Sequence, residues 1–118
     1  MGDEISWHVE LAIKPGELDS FRVLTGEMVE YARGETGVLS YQRFVSEDGA
    51  VVHVYERYAD SAAAVRHLQT FGRKFDERFG VMVDRKRFTV FGVPSDELRR
   101  MLNRFGPTYL SPFGGFSR

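Results

Sequence analysis

Residues 5–13 read ISWHVELAI, and the alternation within this stretch decides the fold class. Side chains of a β-strand point to opposite faces in turn, so one face here is wholly apolar and the other is mixed. The apolar face comprises Ile5, Trp7, Val9, Leu11 and Ile13, and the mixed face comprises Ser6, His8, Glu10 and Ala12. The stretch therefore predicts a strand that packs on a core, and Lys14-Pro15-Gly16 ends it.

Outward from this strand, the apolar period becomes helical over residues 17–33. Two β-rich runs follow at 38–46 and 51–58, and the Asp-Gly pair between them is a hairpin signal. A second helix is predicted over 60–79, with Asp60 as its N-cap and Gly80 as its end. A last strand is predicted over 81–91. Its alternation places Met82, Phe88 and Val90 on one face and Val83, Arg85, Arg87, Thr89 and Phe91 on the other.

The element order β-α-β-β-α-β predicts an α+β domain of the ferredoxin-like, split βαβ type. Both crossovers are right-handed, so both helices cover the same face of the sheet and leave the other bare. The bare face is expected to carry one aromatic or aliphatic residue from each of three pairs: Phe44 or Val45, Tyr55 or Tyr58, and Phe88 or Phe91. An apolar patch of this kind indicates an interface, and we expect it to pair with a second copy in a homodimer.

The C-terminal segment lies outside this basic order. Residues 1–93 are predicted to form the domain, and residues 94–118 to form a short helix, with Ser95 as its N-cap, followed by an aromatic tail. The tail is rich in large apolar residues, namely Phe105, Tyr109, Leu110, Phe113 and Phe116. Packing on the dimer partner and packing on its own protomer both remain open, and we expect the former.

Composition and charge exclude several classes of function. The 118 residues carry 16 Lys and Arg against 17 Asp and Glu, for a net charge of −1, which argues against nucleic acid or an anionic membrane as a partner. No cysteine is present, so disulfides, thiolate catalysis and Cys-ligated metals are excluded. The start of the chain lacks the pattern of a signal peptide and no apolar run reaches membrane-spanning length, so we expect a cytoplasmic location.

Several stretches resemble the antibiotic biosynthesis monooxygenase (ABM) family over roughly residues 5–91. They are IKPG at 13–16, GETGVLSY at 34–41, VYERYAD at 54–60 and AAAVRH at 62–67. The resemblance implies a dimeric α/β-barrel fold with a pocket inside each protomer. Members include cofactor-free oxygenases of quinols or polyketide anthrones, haem-degrading relatives and an isomerase-like branch.

The haem-degrading branch needs an Asn, Trp and His constellation in the pocket. This chain offers only Asn103, in the late helix, and Trp7, in the first strand. That departure argues against haem, and no cofactor is predicted.

His67 and Glu56 are the candidate catalytic residues. His67 matches the family's helix His and can exchange a proton with a ligand oxygen. Alternatively, it is a structural residue whose ring is hydrogen-bonded within the protein at the boundary of helix and sheet. Glu56 lies in a strand where carboxylates are rarely buried without a partner. It could be a pocket base with a pKa raised by desolvation, or it could form an ion pair with Arg85 or Arg87, which we favour.

The candidate substrate-binding residues are aromatic or imidazole side chains placed to face a pocket, namely His8, Tyr41, Tyr55, Tyr58, Phe71 and Phe88. The three tyrosines serve equally well as interface fillers. No metal site is predicted, because the three histidines are scattered and lack His-x-His or His-x-x-x-His spacing.

The resemblance, together with an aromatic pocket that holds one His and one Glu, implies a cofactor-independent monooxygenase that oxidises a small reduced aromatic, of quinol or anthrone type, with molecular oxygen. Such a substrate supplies its own electrons once deprotonated, so the protein needs only to bind it, desolvate it and remove a proton. The alternative is a non-catalytic or isomerising homodimer that binds a small metabolite, because one fold can host both.

Overall fold

The strands and helices follow the predicted β-α-β-β-α-β order, with α3, α4 and β5 in addition. The computed structural model describes residues 3–118. Its elements are β1 (Ile5–Ile13), α1 (Leu18–Arg33), β2 (Val38–Val45), β3 (Val51–Tyr58), α2 (Ser61–Lys74), α3 (Asp76–Met82), β4 (Val83–Phe91), α4 (Asp96–Asn103) and β5 (Thr108–Leu110). Among these residues, no helix is both long enough and apolar enough to cross a membrane.

The strands form one sheet in the order β2-β3-β1-β4-β5. The central strand β1 is antiparallel to both β3 and β4, and the short β5 runs parallel to β4. This arrangement confirms the predicted α+β, ferredoxin-like fold. The added strand β5 was not foreseen, because three residues are too few to show a period.

Helices cover only one face of the sheet. The apolar residues of β1 face them and form the centre of the core, where Ile5 and Leu11 are fully buried. The strand register decides the three open pairs of the sequence analysis. Phe44 lies opposite His53 and Tyr55 opposite His8, both on the uncovered face, and Phe91 lies there too, opposite Ser6. Val45, Tyr58 and Phe88 belong to the covered face.

A β-bulge in β4 corrects the predicted alternation of that strand. The register with β1 shifts between Glu10, which pairs with Arg87, and Leu11, which pairs with Arg85. One residue of β4, Lys86, is therefore unmatched, and the parity of the side chains inverts across it. As a result Arg85 lies on the covered face together with Phe88, whereas simple alternation placed these two on opposite faces.

The second helix is also interrupted. Asp60 caps α2 as predicted, accepting a hydrogen bond from the backbone N–H of Ala63 at 2.8 Å. The helix ends before Phe75, whose φ of −124° departs from helical geometry, and α3 then continues to Met82. Gly80 therefore lies inside α3, and its prediction as the end of the helix was wrong.

The C-terminal segment packs partly on its own protomer. Ser95 caps α4 by accepting from the N–H of Leu98, and α4 buries Leu98 and Leu102 completely. The strand β5 then extends the sheet beside β4. Beyond it, Phe113 and Phe116 are fully or largely exposed, at 105% and 80%. Contact of this tail with a partner subunit stays a prediction.

Candidate functional site

A cavity of about 60 Å³ lies between the covered face of the sheet and helices α2 and α3. Most of its wall is aliphatic or aromatic, and one group of polar side chains interrupts it. The apolar wall comprises Val9, Leu11, Val54, Leu68, Phe71, Phe79, Phe88 and Phe105, and the polar or amphipathic members are Trp7, Arg43, Glu56, His67 and Arg85. Both candidate catalytic residues thus border one cavity.

Glu56 is the most heavily hydrogen-bonded side chain of this site. Its Oε1 accepts from Trp7 Nε1 at 2.9 Å and from the Tyr58 hydroxyl, and its Oε2 accepts from Arg43 Nη2 at 2.6 Å. Burial alone raises the pKa of this carboxyl, but Arg43, His67 and Tyr58 together hold that pKa below its ordinary value of 4.5. The carboxylate is therefore ionised at neutral pH.

This environment corrects two expectations for Glu56. Its pKa is lowered rather than raised, so it is a weak base and acts as a fixed negative charge. Its ion-pair partner is Arg43, not Arg85 or Arg87. Arg85 lies 3.6 Å from Asp76 instead, and Arg87 pairs in register with Glu10 on the uncovered face.

His67 lies in α2 with only 5% of its surface exposed. Its Nδ1 is 2.7 Å from Glu35 Oε1, and its Nε2 is 3.9 Å from Glu56 Oε1, beyond hydrogen-bond distance. A carboxylate only accepts hydrogen bonds, so Glu35 holds the proton on Nδ1 and leaves the lone pair on Nε2. Because His67 borders the cavity, Nε2 can act there as a base.

Glu35 was missed by the sequence analysis, although it lies in the GETG stretch at 34–37. The turn after α1 brings it against α2, and Gly37 allows this close approach. A Cβ at position 37 would lie 2.4 Å from the Cβ of Ala63, a distance that side chains do not tolerate. The Glu-x-Gly pattern was thus the sequence signal for Glu35, since the glycine lets the turn that carries this carboxylate pack closely against α2.

Arg43 is the second residue that the sequence analysis missed. Its side chain is 10% exposed, and its guanidinium carbon lies 3.5 Å from the centre of the Tyr41 ring. Nη2 is paired with Glu56, but Nε and Nη1 are buried and have no partner among residues 3–118. A buried donor without a partner costs roughly 1–3 kcal/mol. Its position two residues after Tyr41, on the same strand face, was the signal available from sequence.

Four of the six candidate substrate-binding residues lie at or beside the cavity. Phe71 and Phe88 form part of its wall. The rings of Tyr41 and Tyr58 lie 5.3 Å and 5.4 Å from the His67 ring. Burial and the neighbouring Glu56 charge raise the pKa of both phenols, so both remain protonated and can donate hydrogen bonds.

The other two candidates, His8 and Tyr55, lie on the uncovered face, because alternation turns them away from Trp7 and Glu56. The structure therefore does not bring them to the cavity. His8 Nε2 lies 2.8 Å from His53 Nδ1. Burial and the neighbouring His53 lower the pKa of His8. Across residues 3–118, no three His, Asp or Glu side chains converge as a set of metal ligands.

The chain is similar to known proteins both in sequence and in structure. The model of a family described as antibiotic biosynthesis monooxygenase matches residues 5–79. The structure is similar to MupZ from Pseudomonas fluorescens, with a TM-score of 0.87 at 24% identity, covering 99% of this chain and 96% of that one. No curated protein sequence shows a significant match.

Two further structures share the core of the fold. SnoaB from Streptomyces nogalater, a cofactor-independent oxygenase, gives a TM-score of 0.67 at 12% identity, over 80% of this chain and 96% of that one. Rv0793 from Mycobacterium tuberculosis gives a TM-score of 0.64 at 24% identity, over 79% of this chain and 96% of that one. At such identities the similarity shows the fold alone, and the MupZ match, at 99% coverage, also extends over α4 and β5.

The family match spans more than half of the chain. It includes β1, both strands of the hairpin and α2, and therefore Glu35, Arg43, Glu56 and His67. The predicted resemblance is confirmed, and the chain belongs to the antibiotic biosynthesis monooxygenase family.

Proposed function

We propose that this protein is a cofactor-independent monooxygenase that oxidises a small reduced aromatic, of quinol or anthrone type, with molecular oxygen. The observation that carries the proposal is the Glu35–His67 pair at an aromatic cavity, with Nδ1 held by the carboxylate at 2.7 Å. Family membership and the fold shared with an oxygenase support the same reaction class.

His67 serves as the general base in this reaction. Its Nε2 takes the acidic proton of the bound substrate, and Glu35 stabilises the imidazolium that forms. The Glu56 carboxylate lies 3.9 Å from Nε2, so its fixed negative charge is close to the nitrogen that receives the proton. Glu56 itself keeps its hydrogen bonds throughout and is a positioning residue.

The deprotonated substrate supplies the electrons. For an anthrone, a CH2 group and one O2 molecule give a carbonyl group and water, so four electrons leave the substrate and no external reductant is needed. The apolar wall around His67 supports this step, since it removes the substrate anion from water and makes it easier to oxidise.

Entry of such a substrate requires movement of the wall. A cavity of about 150 Å³ accommodates benzene, whereas this one measures about 60 Å³. Phe105 is the wall residue contributed by the segment between α4 and β5, outside the helices and strands of the core. We therefore propose that the Phe105 side chain moves aside when a substrate enters the cavity.

A homodimer is part of the proposal. The uncovered face carries Phe44, 58% exposed, and Phe91, 39% exposed, beside Tyr55. Pairing this face with the same face of a second copy would remove these rings from water. We further propose that residues 94–118, a unit distinct from domain 1–93, reach the partner through the exposed Phe113 and Phe116.

Oxygen uptake by purified, metal-free protein across a panel of hydroquinones and anthrones tests the proposed reaction. Uptake above the autoxidation rate is expected with at least one of them, and with an anthrone heavy-isotope oxygen gas should leave its label in the new carbonyl group. Absence of uptake with every substrate of the panel contradicts the proposal.

The arrangement of His67 between two carboxylates favours one alternative, an isomerising or purely binding homodimer. Proton transfer between two atoms of a bound metabolite needs a base with stabilised charge and needs no oxygen. Anaerobic exchange of substrate protons with deuterated solvent separates the two. Exchange without oxygen uptake in air favours isomerisation, and uptake in air favours the monooxygenase.

A further inference from the structure

The Arg43 guanidinium has donors that its ion pair does not use. Nη2 holds Glu56, whereas Nε and Nη1 are buried without a partner in the part of the chain that the structure describes, and the side chain borders the cavity. We propose that these two nitrogens form an oxyanion site, which receives the oxygen of the substrate as its proton leaves for His67. This inference rests on the proposed function and names the class of molecule that the site accepts.

A purely structural role explains less of this geometry. A counter-ion for Glu56 needs one nitrogen, and a buried ion pair is a poor way to stabilise a fold unless the remaining donors are also satisfied. Here Nε and Nη1 find no acceptor among residues 3–118. Buried polar groups are nearly always paired, so exceptions of this kind mark positions where a ligand or a bound water completes the pairing.

The guanidinium is also held in place before any ligand binds. The Tyr41 ring lies against one of its faces at 3.5 Å. Glu56 anchors Nη2, and Trp7 fixes Glu56 in turn. Donors that are already oriented cost no reorganisation when negative charge develops, which is the property that makes an oxyanion site effective.

The position of Arg43 relative to His67 defines the substrate class. Both residues lie next to the same carboxylate: Arg43 Nη2 is 2.6 Å from Glu56 Oε2, and His67 Nε2 is 3.9 Å from Glu56 Oε1. The acidic proton and the oxygen that takes up its charge are therefore close together in the substrate. Phenols meet this requirement, as do carbonyl compounds with an acidic C–H beside the carbonyl group, such as anthrones.

Charge balance sets the protonation state in which the substrate enters. Two carboxylates, Glu35 and Glu56, face one guanidinium in this cluster, because the other arginine at the cavity, Arg85, is paired with Asp76 at 3.6 Å. An already ionised ligand would add a third negative charge. A neutral ligand that gives its proton to His67 leaves the net charge of the site unchanged, so the neutral phenol or ketone is the form that enters.

Anaerobic absorbance titration with para-nitrophenol tests the inference, because its phenol and phenolate forms absorb at different wavelengths. Wild type and Phe105→Ala, in which the wall is opened, should both bind the probe as phenolate and lower its apparent pKa. The double substitution Arg43→Gln/Glu56→Gln removes the buried pair without leaving an unpaired charge. It should weaken binding roughly tenfold to hundredfold and abolish the phenolate band.

The matched control is Glu4→Gln/Arg57→Gln, which removes a partly exposed pair whose atoms lie 2.9 Å apart. It should leave the titration unchanged. The inference is overturned if the Arg43 double variant retains the phenolate band, or if wild type and Phe105→Ala bind no phenolate. The titration needs neither oxygen nor turnover, so it tests the Arg43 site separately from the proposed reaction. Phenolate binding without oxygen uptake would contradict the monooxygenase proposal and support the Arg43 site. Oxygen uptake without phenolate binding would support the monooxygenase proposal and contradict the Arg43 site.

Discussion

Each side of the sheet has a histidine within hydrogen-bond distance of another side chain, His67 in the covering helix α2 and His8 in β1, and the two differ in what that partner does. On the covered face His67 Nδ1 lies 2.7 Å from the Glu35 carboxylate. On the uncovered face His8 Nε2 lies 2.8 Å from His53 Nδ1. A carboxylate stabilises a protonated imidazole, whereas a second imidazole repels it. The histidine that has a carboxylate partner is therefore the one on the covered side, and it borders the cavity.

The same contrast applies to the ion pairs. Arg43 and Glu56 are buried and share hydrogen bonds with the core, whereas Arg57 and Glu4 pair at the edge of the uncovered side, 31% and 44% exposed. Buried pairs are costly to break one partner at a time, and exposed pairs contribute little. The predictions that follow test this contrast from the largest expected effect to the smallest.

Substitution Glu56→Ala should lower the free energy of unfolding by about 3–5 kcal/mol, because it leaves Arg43 charged, buried and unpaired. The N–H of Trp7 and the hydroxyl of Tyr58 lose their acceptor as well. Urea denaturation measures the change, and Glu4→Ala, the matched control, should cost less than about 1 kcal/mol. Similar losses in both variants would contradict the contrast between the faces.

Substitution Gly37→Ala should destabilise the fold by about 2 kcal/mol, since the new Cβ must push the turn away from Ala63. The turn carries Glu35, so the Glu35–His67 hydrogen bond should be lost with it. The chemical shifts of the His67 ring, measured by NMR, report that loss. Gly26→Ala is the control, because its Cβ meets nothing within 4 Å. Unchanged His67 shifts in Gly37→Ala would show that the turn does not position the carboxylate.

Substitution Phe44→Glu should weaken the proposed dimer by about tenfold or more, because it places a charge on the uncovered face in place of a 58% exposed ring. Analytical ultracentrifugation over a range of concentrations measures the dissociation constant. Val23→Glu, on the exposed side of α1 and 67% exposed, should leave it unaltered. A monomeric wild type, or equal behaviour of the two variants, would rule out this face as the interface.

Mild acid should destabilise the uncovered face slightly, the smallest of these effects. Burial and His53 lower the folded-state pKa of His8 from 6.5, so the unfolded chain binds more protons just below that value. Stability contributed by neutral His8 is therefore present above pH 6.5 and is lost as the pH falls. Thermal midpoints recorded from about pH 7.5 to 5.5 should depend less on pH in His8→Gln, and an unchanged dependence would contradict the assignment.

The fold was predictable because its signals are local. The alternation in residues 5–13, the Asp-Gly hairpin and the Asp60 cap each follow from neighbouring residues, and each is present in the structure. The side of the sheet that Arg85 occupies was not predictable, because the bulge at Lys86 inverts the alternation. A period-2 pattern gives no sign of one inserted residue when the residues around it are all charged.

The candidate site was predictable only in part, for a similar reason. His67 and Glu56 were indicated by family resemblance and by the rarity of a carboxylate in a central strand. Their partners come from elsewhere: Glu35 lies 32 positions before His67, and Arg43 lies 13 before Glu56. Such pairs depend on the packing of a turn and on strand register, and a single sequence specifies neither directly.

The most direct test of the account is a comparison of oxygen uptake by wild type, His67→Ala and His53→Ala with the most active hydroquinone or anthrone. The account predicts that His67→Ala lowers the rate at least about a hundredfold, the usual contribution of a general base. His53→Ala, on the other face, should retain the wild-type rate. Equal rates in all three proteins, or loss of uptake only in His53→Ala, would show that the covered cavity is not where the chemistry occurs.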